Sequence, residues 1–203
     1  AAVGETEFGT RPLADPLVYL SCGIGVGAGI ILNGALFTGA SGAAGEIGHT
    51  TLVMDGAACS CGRLGCAEAY IGLRAIAAEA GCLRGSAIDR AALRERMGSR
   101  HAATRAAFAQ AGRRLGVLLQ NIGVAFNPAA LVLGGETVAL GGETFVDAAA
   151  EVLDDVARRT GIPAPVLRLG RHADRAAAVG GAGYVLHAIL NPHQPAVHTP
   201  YHP

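Results

Sequence analysis

The residues of this 203-residue chain best suited to chemistry cluster in one stretch, GAAGEIGHTTLVMDGAACSCGRLGC, residues 42–66. It holds three of the five cysteines, with a histidine just upstream of them, in the spacing His49-x9-Cys59-x-Cys61-x4-Cys66. A disulfide explains this badly, because Cys59 and Cys61 are separated by one residue and bridge with difficulty. Cysteine acting as a small buried hydrophobe does not explain Gly56, Gly62 and Gly65, which let a loop fold back on itself. Three thiolates and one imidazole form a closed tetrahedral shell, the donor set of structural zinc. Four protein ligands leave no position for an activated water, so the expected metal is structural and not hydrolytic. Three thiolates overbalance a divalent ion by one negative charge, which Arg63 and the loop amides are placed to offset. Cys22 and Cys82 lie elsewhere and read as packing residues.

Composition narrows the classes of function. Hydrophobic residues make up 51% of the chain and glycines number 30, which favours a folded core over disorder. Tryptophan is absent and aromatics are 4%, so Ala, Val, Leu and Ile must build that core. The formal net charge is zero, which gives no sign of a nucleic-acid surface. All 16 basic residues are arginine, so a P-loop lysine and a Schiff-base lysine are both excluded. No apolar run reaches the roughly 18 residues of a membrane span, and no charged-then-apolar leader opens the sequence. A cytoplasmic location is expected, where disulfides are rare. The chain reads AAVGETEFG from its first residue, like the tail of a helix entering a loop.

The elements that must position the cluster follow from the apolar pattern. Residues 17–37 read as β structure: an apolar strand, glycines at 23, 25, 27 and 29, a second strand, then a return at Asn33-Gly34. Asn-Gly between apolar runs signals a tight hairpin, since both residues tolerate positive φ. Residues 47–54 read as a further strand, and 68–80 as a helix capped by Gly81. The arginines between 84 and 105 are suited to phosphate, but the interspersed Asp89 and Glu95 favour a solvated helical face. The spacing predicts one long helix over 102–126, stopped by Pro128. Strands at 130–135 and 165–170 alternate with helices at 143–160 and 174–190. That alternation argues for a helix-covered sheet, an α/β architecture. The tail, residues 191–203, has four prolines and three histidines and reads as irregular, with metal binding as the alternative.

The runs GAAGEIGH and CSCGRLGCAE resemble the signature of the ROK family of sugar kinases and sugar-responsive repressors. The pattern E-x-G-H, about ten residues, then C-x-C-G-x-x-G-C-x-E is filled by Glu46, Gly48, His49, Cys59, Cys61, Gly62, Gly65, Cys66 and Glu68. GVGAGIILNGALF and LVLGG are similar to the family's glycine-rich hairpin and late strand, so the resemblance covers essentially the whole chain. It implies an actin-like, ribonuclease-H-like fold of two lobes, with residues 1–190 as the C-terminal lobe and 191–203 as a tail. It implies that Glu46, His49 and Glu68 hold sugar hydroxyls, with one His49 ring nitrogen on zinc and the other on the sugar. It also implies dimers built on this lobe.

The resemblance leaves two parents open. The kinase branch takes the sugar proton with an aspartate in a D-x-N motif a few residues before the A-A-x-G-E stretch. That stretch is Ala1 to Glu5 here, so the aspartate is expected upstream and no catalytic residue is assigned. Family kinases read G-T-G-I-G-x-G at the second phosphate loop. Aligning the glycines puts Ile24 at the threonine, and isoleucine donates no hydrogen bond. Gly25, Gly27, Gly134 and Gly135 are the remaining phosphate-loop candidates. The Ile24 departure favours the repressor branch: a sugar-sensing and oligomerising lobe whose DNA contacts belong to a separate N-terminal domain. The alternative is the C-terminal half of an ATP-dependent sugar kinase.

Overall fold

A computed structural model describes residues 1–8, 15–171 and 175–190; the Pro- and His-rich tail lies outside these described residues. Its five-stranded sheet has the order β3-β2-β1-β6-β7. Strands β1 (Leu17–Cys22), β2 (Val26–Leu32) and β3 (Ala35–Phe37) form an antiparallel meander. Strands β6 (Ala130–Gly134) and β7 (Val166–Leu169) extend it in parallel beyond β1. The β2–β3 turn has Asn33 and Gly34 at φ of 53° and 74°, as the Asn-Gly pair predicts. A two-stranded ribbon, β4 (Leu83–Arg84) with β5 (Ala87–Ile88), stands apart.

Side chains alternate across the sheet with the period of two that a strand imposes. Val18, Leu20, Cys22, Leu131 and Leu133 enter one core, and Leu17, Tyr19, Ala130 and Val132 enter the other. The first core is closed by α3 (Leu73–Glu79), α5 (Ala102–Phe126) and α6 (Glu136–Thr160). The second is closed by α1 (Ala2–Phe8) and α7 (Ala176–Leu190). Helices thus cover both faces, the α/β arrangement expected. Cys22 and Cys82 are buried in the first core, as packing residues should be. Among the described residues no helix is long and apolar enough to cross a membrane.

Three departures from the sequence pattern matter for the site. Residues 47–54 are not a strand: Ile47–His49 is one 3-10 turn, and Thr51 makes a single bridge to Cys66. The predicted helix over 68–80 is two helices, α2 (Glu68–Ile71) and α3, broken at Gly72 with ψ of 146°. A Cβ at Gly72 would come 2.7 Å from both the Glu68 and Ile24 carbonyl oxygens, so only glycine lets the chain pass. The break frees the Leu73 N–H to donate to the Gly23 carbonyl at 2.7 Å. Finally, α6 starts at Glu136 and kinks at Gly142 (φ 49°), so the helix expected from 143 is its longer part. The arginine-bearing segment holds the small ribbon and α4 (Arg90–Gly98), where Arg84 pairs with Asp89 and Arg90 reaches across to Glu136.

Candidate metal centre

The metal loop leaves the 3-10 turn, runs outward, and returns to α2. Two antiparallel bridges, Thr51 with Cys66 and Ala58 with Leu64, fold it into a narrow double strand. The Leu52 and Val53 N–H groups both donate to the Gly65 carbonyl, at 2.8 and 3.3 Å. The Cys59 N–H donates to the Arg63 carbonyl at 2.9 Å, closing the tip that carries Cys61. These bonds place one donor atom each from His49, Cys59, Cys61 and Cys66 within 4.8 Å of one another. Cys59 Sγ lies 3.6 Å from His49 Nδ1, and Cys61 Sγ lies 3.7 Å from Cys66 Sγ. Three sulfurs and an imidazole nitrogen so gathered can hold a metal ion, and the donor set suits zinc.

Electrostatics fits a cation here. Burial, and then the neighbouring thiols of Cys61 and Cys59, push the Cys66 thiol up to about 11. The Arg63 N–H, with smaller help from neighbouring thiols and the Arg63 guanidinium, holds the Cys61 thiol below its ordinary value. The cluster therefore contains one thiol that resists ionisation among its neighbours, and a divalent cation relieves that conflict. The Arg63 guanidinium also donates to the His49 carbonyl at 3.4 Å, on the flank where an offsetting charge was expected.

The three hydroxyl-binding candidates lie in one string around this cluster. His49 Nε2, on the ring side away from the thiols, is 3.8 Å from Glu46 Oε2. Glu46 is exposed, and Glu68 lies on the other flank with Oε1 4.0 Å from Cys59 Sγ and 3.4 Å from the Ser60 hydroxyl. Glu68 has a second partner that the sequence does not reveal: its Oε2 accepts the Val26 N–H at 3.0 Å, 42 residues away. That bond ties the start of α2, where the loop ends, to the start of β2, where the glycine turn ends. Tyr70 was also missed, since an aromatic in a helical run reads as core; its hydroxyl accepts the Ala57 N–H at 2.7 Å.

The glycines named as phosphate-loop candidates lie on neighbouring segments. Gly25 lies in the turn that joins β1 to β2 and Gly27 at the turn side of β2, while Gly134 ends β6 and Gly135 joins it to α6. The Thr137 hydroxyl links the two segments by donating to the Gly23 carbonyl at 3.2 Å. Ile24, at the tip of the turn, is 55% exposed and brings no donor to it. The side chain after the glycine pair, Glu136, is engaged by Arg90 through two bonds of 2.6 and 3.1 Å.

Comparison with known proteins agrees with this geometry. The ROK family model matches residues 1–188. A xylose repressor of Caldicellulosiruptor bescii is 31% identical over 208 aligned residues, covering 94% of this chain and 51% of the repressor. Among solved structures, the ROK hexokinase of Thermus thermophilus superposes with a TM-score of 0.78 at 31% identity, over 89% of this chain and 62% of that one. A ROK glucokinase from Streptomyces griseus, solved with glucose and AMPPNP, gives 0.77 at 27% identity, over 89% and 64%. The chain thus spans about half the length of the repressor and under two thirds of either kinase. Its architecture is the actin-like, ribonuclease-H-like one, and the chain belongs to the ROK family.

Proposed function

We propose that this chain is the sugar-sensing and oligomerising lobe of a ROK-family transcriptional regulator, stabilised by structural zinc. The observation that carries the reading is the identity to a xylose repressor along nearly the whole chain. Ile24 supports it, because the turn facing the phosphate position in a kinase has no hydroxyl here. Zinc would be held by His49 Nδ1 and the sulfurs of Cys59, Cys61 and Cys66. When bound, it supplies a fixed positive centre that keeps the thiols ionised and cross-links the loop. With Nδ1 committed, His49 Nε2 remains for a sugar hydroxyl beside Glu46 and Glu68, whose carboxylates accept hydrogen bonds from other hydroxyls. The ligand class is a small sugar or sugar derivative. Residues 1–190 act as one lobe and 191–203 as a tail. The lobe pairs with a second copy, and DNA contacts belong to a part of the parent outside these residues. A cytoplasmic location goes with this role, with no membrane partner.

The similarity to the Thermus hexokinase favours a second reading, the C-terminal half of an ATP-dependent sugar kinase. Calorimetric titration of this chain with xylose, glucose and N-acetylglucosamine tests the sugar site, and an ADP-release assay on the parent protein, which in the kinase reading carries the catalytic aspartate, separates the two. The regulator reading expects millimolar sugar binding, because about 1–3 kcal/mol per contact on an open wall barely offsets ligand immobilisation. It expects that binding to vanish in Glu46→Ala and ADP release to stay at background. Turnover that Glu46→Ala abolishes would establish the kinase reading instead.

A further inference from the structure

Beyond the four ligands, one side chain joins the metal loop to the rigid part of the molecule. We propose that Tyr70 is the positioning residue of the metal loop, fixing its ligands through a hydrogen bond from the loop to the phenol oxygen. The inference rests on the zinc reading above.

Tyr70 stands on α2, and its hydroxyl accepts the Ala57 N–H at 2.7 Å. Ala57 precedes Cys59 by two residues, and its carbonyl accepts the Gly65 N–H at 2.8 Å, next to Cys66. A single residue therefore spans both arms of the loop, and the tyrosine pins that residue. A Cβ on Gly56 would collide with the hydroxyl, so a glycine here is what lets the loop approach the phenol. The ring is itself held: the Arg114 guanidinium lies over it, 4.7 Å from its centroid. Arg114 is fixed in turn by Glu79 Oε1 at 3.1 Å. Arg114 belongs to α5 and Glu79 to α3, both core helices. The chain from Glu79 through Arg114 and Tyr70 to Ala57 thus anchors an exposed loop to the core.

Metal leaves such a centre when ligands swing away one after another, and an arm held at residue 57 restricts that swing. Loss of a partner bonded directly to a metal ligand typically weakens binding about 10- to 100-fold; Tyr70 acts on the backbone before Cys59, which places its effect at the lower end of that range. Tyr70→Phe keeps the ring and its cation–π contact and removes only the acceptor, so packing is preserved.

Zinc release from the 1–203 protein into excess chromogenic chelator tests the proposal, together with melting of the zinc-loaded and chelator-treated forms. Wild type should hold about one zinc. Tyr70→Phe should release it about tenfold faster. Its zinc-loaded melting temperature should fall while the chelator-treated one stays at the wild-type value. Arg114→Ala should move release in the same direction by a smaller factor. Release from Tyr70→Phe at the wild-type rate overturns the inference. So does an equal fall of both melting temperatures, which marks a packing role. A wild type without zinc removes the metal-centre reading itself, and this inference with it.

Discussion

The parallel centre of the sheet and the candidate metal loop are held by different forces. Every residue of β6 is buried, and Leu115, Leu118, Leu119 and Phe145 pack beside it with at most 1% exposure. In the loop, none of residues 50–64 is fully buried. Its order comes from backbone hydrogen bonds, two bridges and, on our reading, four bonds to one ion. Stability in the core is spread over many side chains, each with its own share of apolar area. Stability in the loop is concentrated in a few groups. Changes in the core should therefore be felt globally and in proportion to their size. Changes in the loop should be local and all-or-none.

The largest effect expected is loss of a ligand. Cys66→Ala should abolish zinc binding, an interaction of about 10–16 kcal/mol in small zinc domains. Hydrogen exchange should then rise throughout 50–66 while β1 and β6 keep their protection. Uniform loss of protection across both regions would erase the contrast.

Next is the core. Phe145→Ala removes a fully buried ring packed edge-on against Phe108, with centroids 6.4 Å apart. It should cost about 3–5 kcal/mol in denaturant melts, with zinc content still near one per chain. Zinc loss in this variant would show that loop and core are not separable.

Gly72→Ala sits on the boundary. The added methyl has no room between the Glu68 and Ile24 carbonyls, so the variant should lose about 1–3 kcal/mol. It should also move Glu68 off the Val26 N–H, a shift readable as a change at Val26 in amide spectra.

The smallest effect is alkaline. Burial pushes the Cys22 thiol up to about 12. Because this acid's folded pKa lies above its unfolded one, the stability it contributes is intact below the ordinary thiol range. It is lost as pH rises through that range toward 12. Cys66, pushed up to about 11, and Tyr19, pushed up by burial to about 12, titrate on the same limb, so the difference between wild type and Cys22→Ala isolates this thiol's share. Denaturant midpoints measured from pH 8 to 11 should fall less steeply in Cys22→Ala than in wild type, at roughly the thiol's linkage slope.

What the sequence reveals divides along the same line. The helix over 102–126 was legible because burial imprints its period on the residues, the Asn33-Gly34 turn because both residues tolerate positive φ, and the strand ending at Gly134 as a short apolar run before a glycine pair. The cluster of His49, Cys59, Cys61 and Cys66 was legible because the identity and spacing of its residues are local. The loop backbone was not. Thr51, Leu52 and Val53 mimic a strand, yet two successive N–H groups converge on one carbonyl, at Gly65. Nor did the helical pattern of 68–80 disclose the break at Gly72, since it is imposed by the turn at Ile24, distant in sequence. The bond from Val26 to Glu68 is likewise long-range and leaves no local sign.

The most direct test of the account is the metal content of protein purified without chelator, by elemental analysis of wild type and Cys61→Ser. The account predicts about one zinc per wild-type chain and a large loss in the variant. Zinc-free wild type, or a disulfide between any two of Cys59, Cys61 and Cys66 in freshly purified protein, would contradict it.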